Sequence, residues 1–292
     1  MRYSLGLHVH NPASAMLGLE AYMRGMVSWA ANNIGRADGI FYTQHRHAVA
    51  RFEDEHGEWP GFLGLCQMEG FRTALAERDL NLGEELTLGG EVYGHRIAGG
   101  GRSLDVLTAY EIFVKPEGGK ATSGPSSYAR PNYEVIVPSS DIPGFRKDDG
   151  DLLTLNELMR QNFPLLIYPH PFAFEGAGLS GEPLLHSYDG IPVLAEKYNS
   201  AAASLPVMVM HKSMPNRRAE RDLREMPGIN GTDGVTCHST IMMDLDPKPE
   251  LLLEGIIGNL HSLDFKRNDV PLPMSELLAK VLQSKRLTPK DR

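Results

Sequence analysis

The chain has 292 residues, 41% of them hydrophobic and 23% charged, which is ordinary for a soluble globular protein and long enough for one large barrel domain. Its net charge of −8 argues against a basic groove for long nucleic acid, although bound cations can reverse a local field and so leave an anionic substrate compatible. Cys66 and Cys237 provide neither a disulfide framework nor a C-x-x-C metal motif. No apolar run reaches membrane-spanning length and no signal-peptide pattern opens the chain, so the expectation is a cytoplasmic protein with no membrane partner.

Short apolar runs alternate with helical patterns, which favours an α/β fold over an all-β one. Residues 3–9 read as a first strand that runs into His8-Val9-His10. A helix follows over 15–33, where Met16, Leu19, Met23, Met26, Val27 and Ala30 fall near helical spacing. Residues 38–43 form a second predicted strand ending in Thr43-Gln44-His45, and 61–78 read as helical. Strands near 82–88 and 91–97 are joined at Gly89-Gly90, a tight-turn signal. Residues 110–115 and 133–137 alternate like strands, while the Gly-, Ser- and Pro-rich stretch 116–132 between them reads as a surface excursion or lid.

A helix at 154–162 leads into a strand at Pro164–Tyr168, which stops at Pro169-His170-Pro171. Further strands are expected at 192–196 and 205–210, with a charged helix near 216–225 and a last short strand at 234–238. Helices near 248–260 and 273–285 finish the chain. With no internal repeat and no linker, residues 1–292 read as a single domain with C-terminal helices after 245.

Side chains two apart on a strand point the same way, so His8 and His10 project together. Two imidazoles aimed at one point suit a divalent transition metal, but a closed site needs more ligands. Candidates stand at the ends of other predicted strands: His45, Glu85 with His95, His170 and His238, with Glu196 as a further carboxylate. Strand ends on one rim of a barrel converge, so residues distant in sequence can build one site. Each has a bland reading as a locally hydrogen-bonded or solvated residue, and His47 competes with His45. Cys237 is expected to be a buried thiol.

In order, His8-Val9-His10, Thr43-Gln44-His45, Gly83-Glu84-Glu85 with His95, His170-Pro171, Glu196-Lys197-Tyr198-Asn199 and Val235-Thr236-Cys237-His238 resemble the motifs of the polymerase and histidinol phosphatase (PHP) family of metal-dependent hydrolases. That family carries H-x-H, T-D-H, G-x-E with a later histidine, H-P, E-x-x-N and S-D-A-H. The resemblance covers residues 3–240. It implies a distorted (β/α)7 TIM-like barrel of PHP type, with two or three divalent ions (Zn, Mn or Fe) at its C-terminal rim. His8, His10, His45, Glu85, His95, His170 and His238 would hold them.

This chain departs from the pattern twice, with Gln44 and Thr236 where the family has Asp. Asp233 has the wrong parity relative to His238 to replace the second, unless the strand is broken or bulged. The expected reaction is phosphoester hydrolysis of a small anionic substrate by metal-activated water. His211 is the candidate general acid, and Lys212 and Arg217 are candidate phosphate contacts, against a reading of both as surface charge. Amidohydrolase-type cleavage at the same site, and a metal- or ligand-binding module without turnover, are the alternatives.

Overall fold

The computed structural model describes residues 1–11, 17–114, 133–141, 153–161, 163–169, 187–188, 191–200, 203, 214–246 and 248–276. The chain opens with β1 (Arg2–His10), α1 (Leu19–Asn33) and β2 (Gly39–His45). Three short helices follow, α2 (Arg46–His56), α3 (Gly61–Gln67) and α4 (Glu69–Ala76), then the hairpin of β3 (Leu80–Leu88) and β4 (Glu91–Gly99). Next come β5 (Arg102–Val114), β6 (Tyr133–Pro138), α5 (Leu155–Met159), β7 (Leu166–Tyr168), β8 (Ser187–Tyr188) and β9 (Ile191–Asn199). The last described elements are α6 (Met214–Asp222), β10 (Gly228–Gly231), β11 (Thr240–Asp244), α7 (Pro249–Ser262) and β12 (Lys266–Asn268).

Hydrogen bonds connect the strands in the order β10-β9-β7-β6-β5-β2-β1-β11-β12, with the β3–β4 hairpin attached to β5 through β4. The sheet curls until it nearly closes. Just past β10, the N–H groups of Thr232 and Asp233 donate to the carbonyls of Leu7 and His8 on β1 at 3.0 and 2.8 Å. The His10 N–H in turn donates to the Gly234 carbonyl at 2.8 Å. Neighbours β1–β2, β2–β5, β7–β9 and β9–β10 are parallel, but β6 runs antiparallel to both β5 and β7. The fold is therefore mixed α/β with a barrel-like sheet, richer in strands and less regular than the alternating barrel expected from the sequence. Among the described residues no helix is long and apolar enough to cross a membrane.

The inside of the curl is apolar at one end and polar at the other. Leu5 and Leu7 of β1, Phe41 of β2, Leu107 and Ala109 of β5, Leu194 of β9 and Ile229 of β10 share one buried cluster, plugged by Leu252, Leu253, Ile256 and Leu260 of α7. Burying a side chain of this size stabilises by roughly 1.5–3 kcal/mol. The same inward rows then change chemistry within one or two more pleats: Phe41 leads to Thr43 and His45, Leu107 and Ala109 to Glu111, and Leu194 to Glu196. Outside the curl, α1, α3 and α4 pack on one flank, and α5 and α6 cover the β5–β9 flank.

Several expected elements differ. The helix expected at 61–78 is split into α3 and α4, because Met68 adopts an extended conformation (φ −84°, ψ 130°). The strand expected at 234–238 is a loop between β10 and β11. Its donors are met locally: the N–H groups of His238 and Ser239 donate to Thr232 Oγ1, and that of Cys237 to Asn33 Oδ1 at 2.7 Å. β5 begins at Arg102 rather than 110 because it is buried on both faces from Leu104 onward and shows no alternation there. The expected excursion 116–132 and strand 205–210 lie outside the described residues.

Candidate metal centre

His8, His10, His45, Glu111, Glu196 and Asp233 converge at the polar end of the curl. The placement of the first two depends on a bulge. Gly6 pairs with Ile40 and Val9 with Tyr42, so β1 carries one residue more than β2 over this span. His8 takes up the excess in a left-handed conformation, φ 57°. Without the bulge, the parity that sends Leu5 and Leu7 inward would send His8 and His10 outward; with it, Val9 packs outward and His10 faces in.

The contacts centre on Glu111. Its Oε2 lies 2.8 Å from His45 Nδ1, 3.5 Å from His8 Nε2 and 3.9 Å from His10 Nε2. His10 Nε2 is 3.2 Å from Asp233 Oδ1, while its Nδ1–H donates to the Thr43 carbonyl at 3.3 Å. That backbone contact fixes the tautomer and turns the Nε2 lone pair toward the cluster. His8 Nδ1 stands 3.2 Å from both oxygens of Glu196, which aims its Nε2 at Glu111. Asn199 clips two of the carboxylates together, donating Nδ2 to Glu196 Oε2 and to Asp233 Oδ2, each at 3.3 Å. The His10 and His45 rings stack with centroids 4.3 Å apart.

These groups are buried: the side chains of Glu111, Glu196 and Asp233 are 2%, 1% and 4% exposed. Burial disfavours the His8 imidazolium, but the Glu196 and Glu111 charges outweigh it and raise the His8 pKa well above its ordinary value. For His10, burial and then repulsion from His45 dominate, and its pKa falls to about 3, leaving a neutral ring. Three carboxylates enclosed this closely are costly without compensating positive charge. Imidazole nitrogens mixed with carboxylate oxygens form a donor set that suits zinc, iron or manganese. Two overlapping groups, His8–His10–Asp233 and His10–His45–Glu111, have ligand atoms within 4.8 Å of one another and could hold a metal ion. The donor set fits such an ion.

Of the ligands expected from the sequence, His8, His10 and His45 come together here, with Glu196 beside them. Glu85 and His95 do not. They face each other across the β3–β4 hairpin, and His95 is in register with Val106, five residues before Glu111 on β5 and so about 17 Å along the strand. Glu85 is exposed; His95 is buried near Phe62, where burial lowers its pKa. His238 sits in the loop after β10 with its Nε2 3.0 Å from Glu276, and belongs to neither ligand group. His170, His211 and Lys212 lie outside the described residues. Arg217 is exposed on α6 and lines a cavity with Lys197, on the side of β9 away from Glu196, so it is not a contact of this centre. Cys237 is a buried thiol, its pKa pushed up to about 12 by burial.

The structure also places Gln44 and Asp233. Gln44 points away from the cluster and its Oε1 accepts from Trp59 Nε1 at 2.9 Å, anchoring the start of α3. Asp233, left-handed (φ 48°) two residues past the end of β10 at Gly231, brings a carboxylate to His10. Glu111 and Asp233 were not among the expected ligands. The available signal for Glu111 was a lone carboxylate in the apolar run Leu107–Val114, since such a charge is buried only when paired or metal-bound. No family model, curated protein or solved structure matches the chain.

Proposed function

We propose that the protein is a metal-dependent hydrolase, a phosphoesterase for a small anionic substrate, on a distorted (β/α)7 barrel of PHP type. In this reading Glu111 of Ala109-Tyr110-Glu111 takes the place of the family's G-x-E glutamate, and Asp233 of Thr232-Asp233 that of its S-D aspartate. One observation carries it: Glu111 Oε2 lies within 4 Å of ring nitrogens from His8, His10 and His45, while His10 is shared with Asp233. A shared histidine and a central carboxylate are what two adjacent cations need to sit close without prohibitive repulsion.

Divalent cations held there would supply Lewis acidity and bring the pKa of a bound water toward neutrality. The chain's own part is to position and to balance charge. Glu196 and the Thr43 carbonyl orient His8 and His10, and Asn199 holds the Glu196 and Asp233 carboxylates in place. The dry apolar plug beneath the ligands keeps bulk water from below and strengthens each electrostatic contact above it.

The test is elemental analysis of protein purified without chelators, together with turnover of p-nitrophenyl phosphate after loading with Zn, Mn or Fe. Metal in roughly stoichiometric amount and turnover that follows it are expected. Protein that retains no metal after reconstitution with all three would remove the reading.

A further inference from the structure

We propose a second binding site, for a phosphate group, on the α6 side of β9 and built on Lys197. In the pairing of β9 with β10, Glu196 faces Ile229 and Tyr198 faces Asn230, which leaves Lys197 as an extra, bulged residue. The bulge divides the Glu196–Asn199 segment between two faces. Glu196 and Asn199 contact the metal-centre carboxylate and histidine, whereas Lys197 and Tyr198 line an open cavity of about 600 Å³ with Asn216, Arg217, Glu220 and Arg221. The cavity and the metal centre thus lie on opposite sides of one strand.

Lys197 is only 7% exposed, yet no hydrogen bond or ion pair engages its ammonium group among the described residues. Its stem lies across Gly228, where a Cβ would come 2.5 Å from Lys197 Cδ, so any side chain at 228 would push the lysine aside. The neighbouring charges are committed elsewhere. Glu220 pairs with Arg267 at 2.6 Å, and Arg221 with Asp222 at 2.6 Å. Arg217 is exposed and has no ion pair among the described residues. The cavity therefore presents Lys197 and Arg217 as uncommitted cations, with the Tyr198 hydroxyl as a further donor.

The point-charge ammonium of a buried lysine and the forked guanidinium of an exposed arginine, lining one cavity, suit a doubly charged tetrahedral oxyanion. The cavity is also tied to the metal side. Asn216 in its wall accepts from the Asn199 N–H at 3.0 Å and donates to the Asn199 carbonyl at 3.1 Å.

The test is titration calorimetry with inorganic phosphate, then with ribose 5-phosphate, on wild-type protein before and after the metal is stripped, and on Lys197→Met and Arg217→Ala. Lys197→Met keeps the stem, and Arg217→Ala changes an exposed residue that leaves folding intact. Binding is expected to survive removal of the metal and to weaken at least about tenfold in each variant, the equivalent of one charge-assisted hydrogen bond. Tighter binding of the ester identifies a phosphorylated metabolite as the ligand, and equal affinity identifies free phosphate; both support the site. Binding that disappears with the metal and ignores both substitutions assigns the anion to the metal centre and overturns the proposal, as does no binding at millimolar phosphate. The site does not depend on the hydrolase reading, since metal-stripped protein reports on it alone.

Discussion

Glu111 is the residue on which the centre turns, because its Oε2 lies within 4 Å of a ring nitrogen of each of His8, His10 and His45. Glu111→Gln keeps the shape but removes the charge. Ligand partners that never touch the metal are commonly worth 10–100-fold in affinity, so loss of the central carboxylate should cost at least ~100-fold. Competition with a fluorescent chelator measures this. Glu85→Gln provides the contrast, since Glu85 is exposed on the hairpin and its loss should leave metal affinity unchanged. If Glu85→Gln strips the metal and Glu111→Gln does not, the hairpin rather than β5 carries the ligand. Asn199→Ala should weaken binding by ~10–100-fold without removing a ligand, because the Glu196 and Asp233 carboxylates lose the amide that holds them together.

At the scale of the element, the hairpin is placed by a close approach rather than by its turn. Gly94 of β4 lies so near β5 that a Cβ there would come 2.0 Å from the Val106 carbonyl oxygen, a backbone atom that cannot swing aside. Gly94→Ala should therefore cost about 2–3 kcal/mol in urea unfolding. Wild-type stability in that variant would mean that the hairpin does not dock on β5 at this register. Periodicity identifies this hairpin, and the rows Phe41–Thr43–His45 and Leu107–Ala109–Glu111 share one parity that places a histidine and a glutamate beyond an apolar core. What periodicity cannot locate is a bulge. The extra residues at His8 on β1 and Lys197 on β9 each reverse the parity of the strand beyond them, so His10 and Asn199 reach the centre only through irregularities. Asp233 escapes the pattern for a related reason, since its left-handed backbone ends the alternation from which its direction would be read. Glu85 and His95 fit a motif by order alone, and only the strand register shows them at the wrong end of β5.

Across the whole molecule, the near-closure of the sheet and the candidate metal centre occupy the same place. The seam between β10 and β1 is held by the N–H groups of Thr232, Asp233 and His10, and two of those residues carry ligand groups. A cation bound by His8, His10 and Asp233 would thus tie the two sides of the seam together, and its loss would leave mutually repelling carboxylates along it. Binding to the folded state alone stabilises by about 4 kcal/mol when the free metal is a thousandfold above its dissociation constant. For a chain of this length that corresponds to a rise in Tm on the order of 10 °C. Chelation should lower Tm by that amount, with hydrogen exchange accelerating first at the seam, in 8–10 and 230–234, and last in α7 and the strands it plugs. Equal protection of all these segments after chelation would mean that the seam is closed by its backbone hydrogen bonds alone. The metal would then be a passenger of the fold, and the hydrolase reading would stand or fall on turnover only.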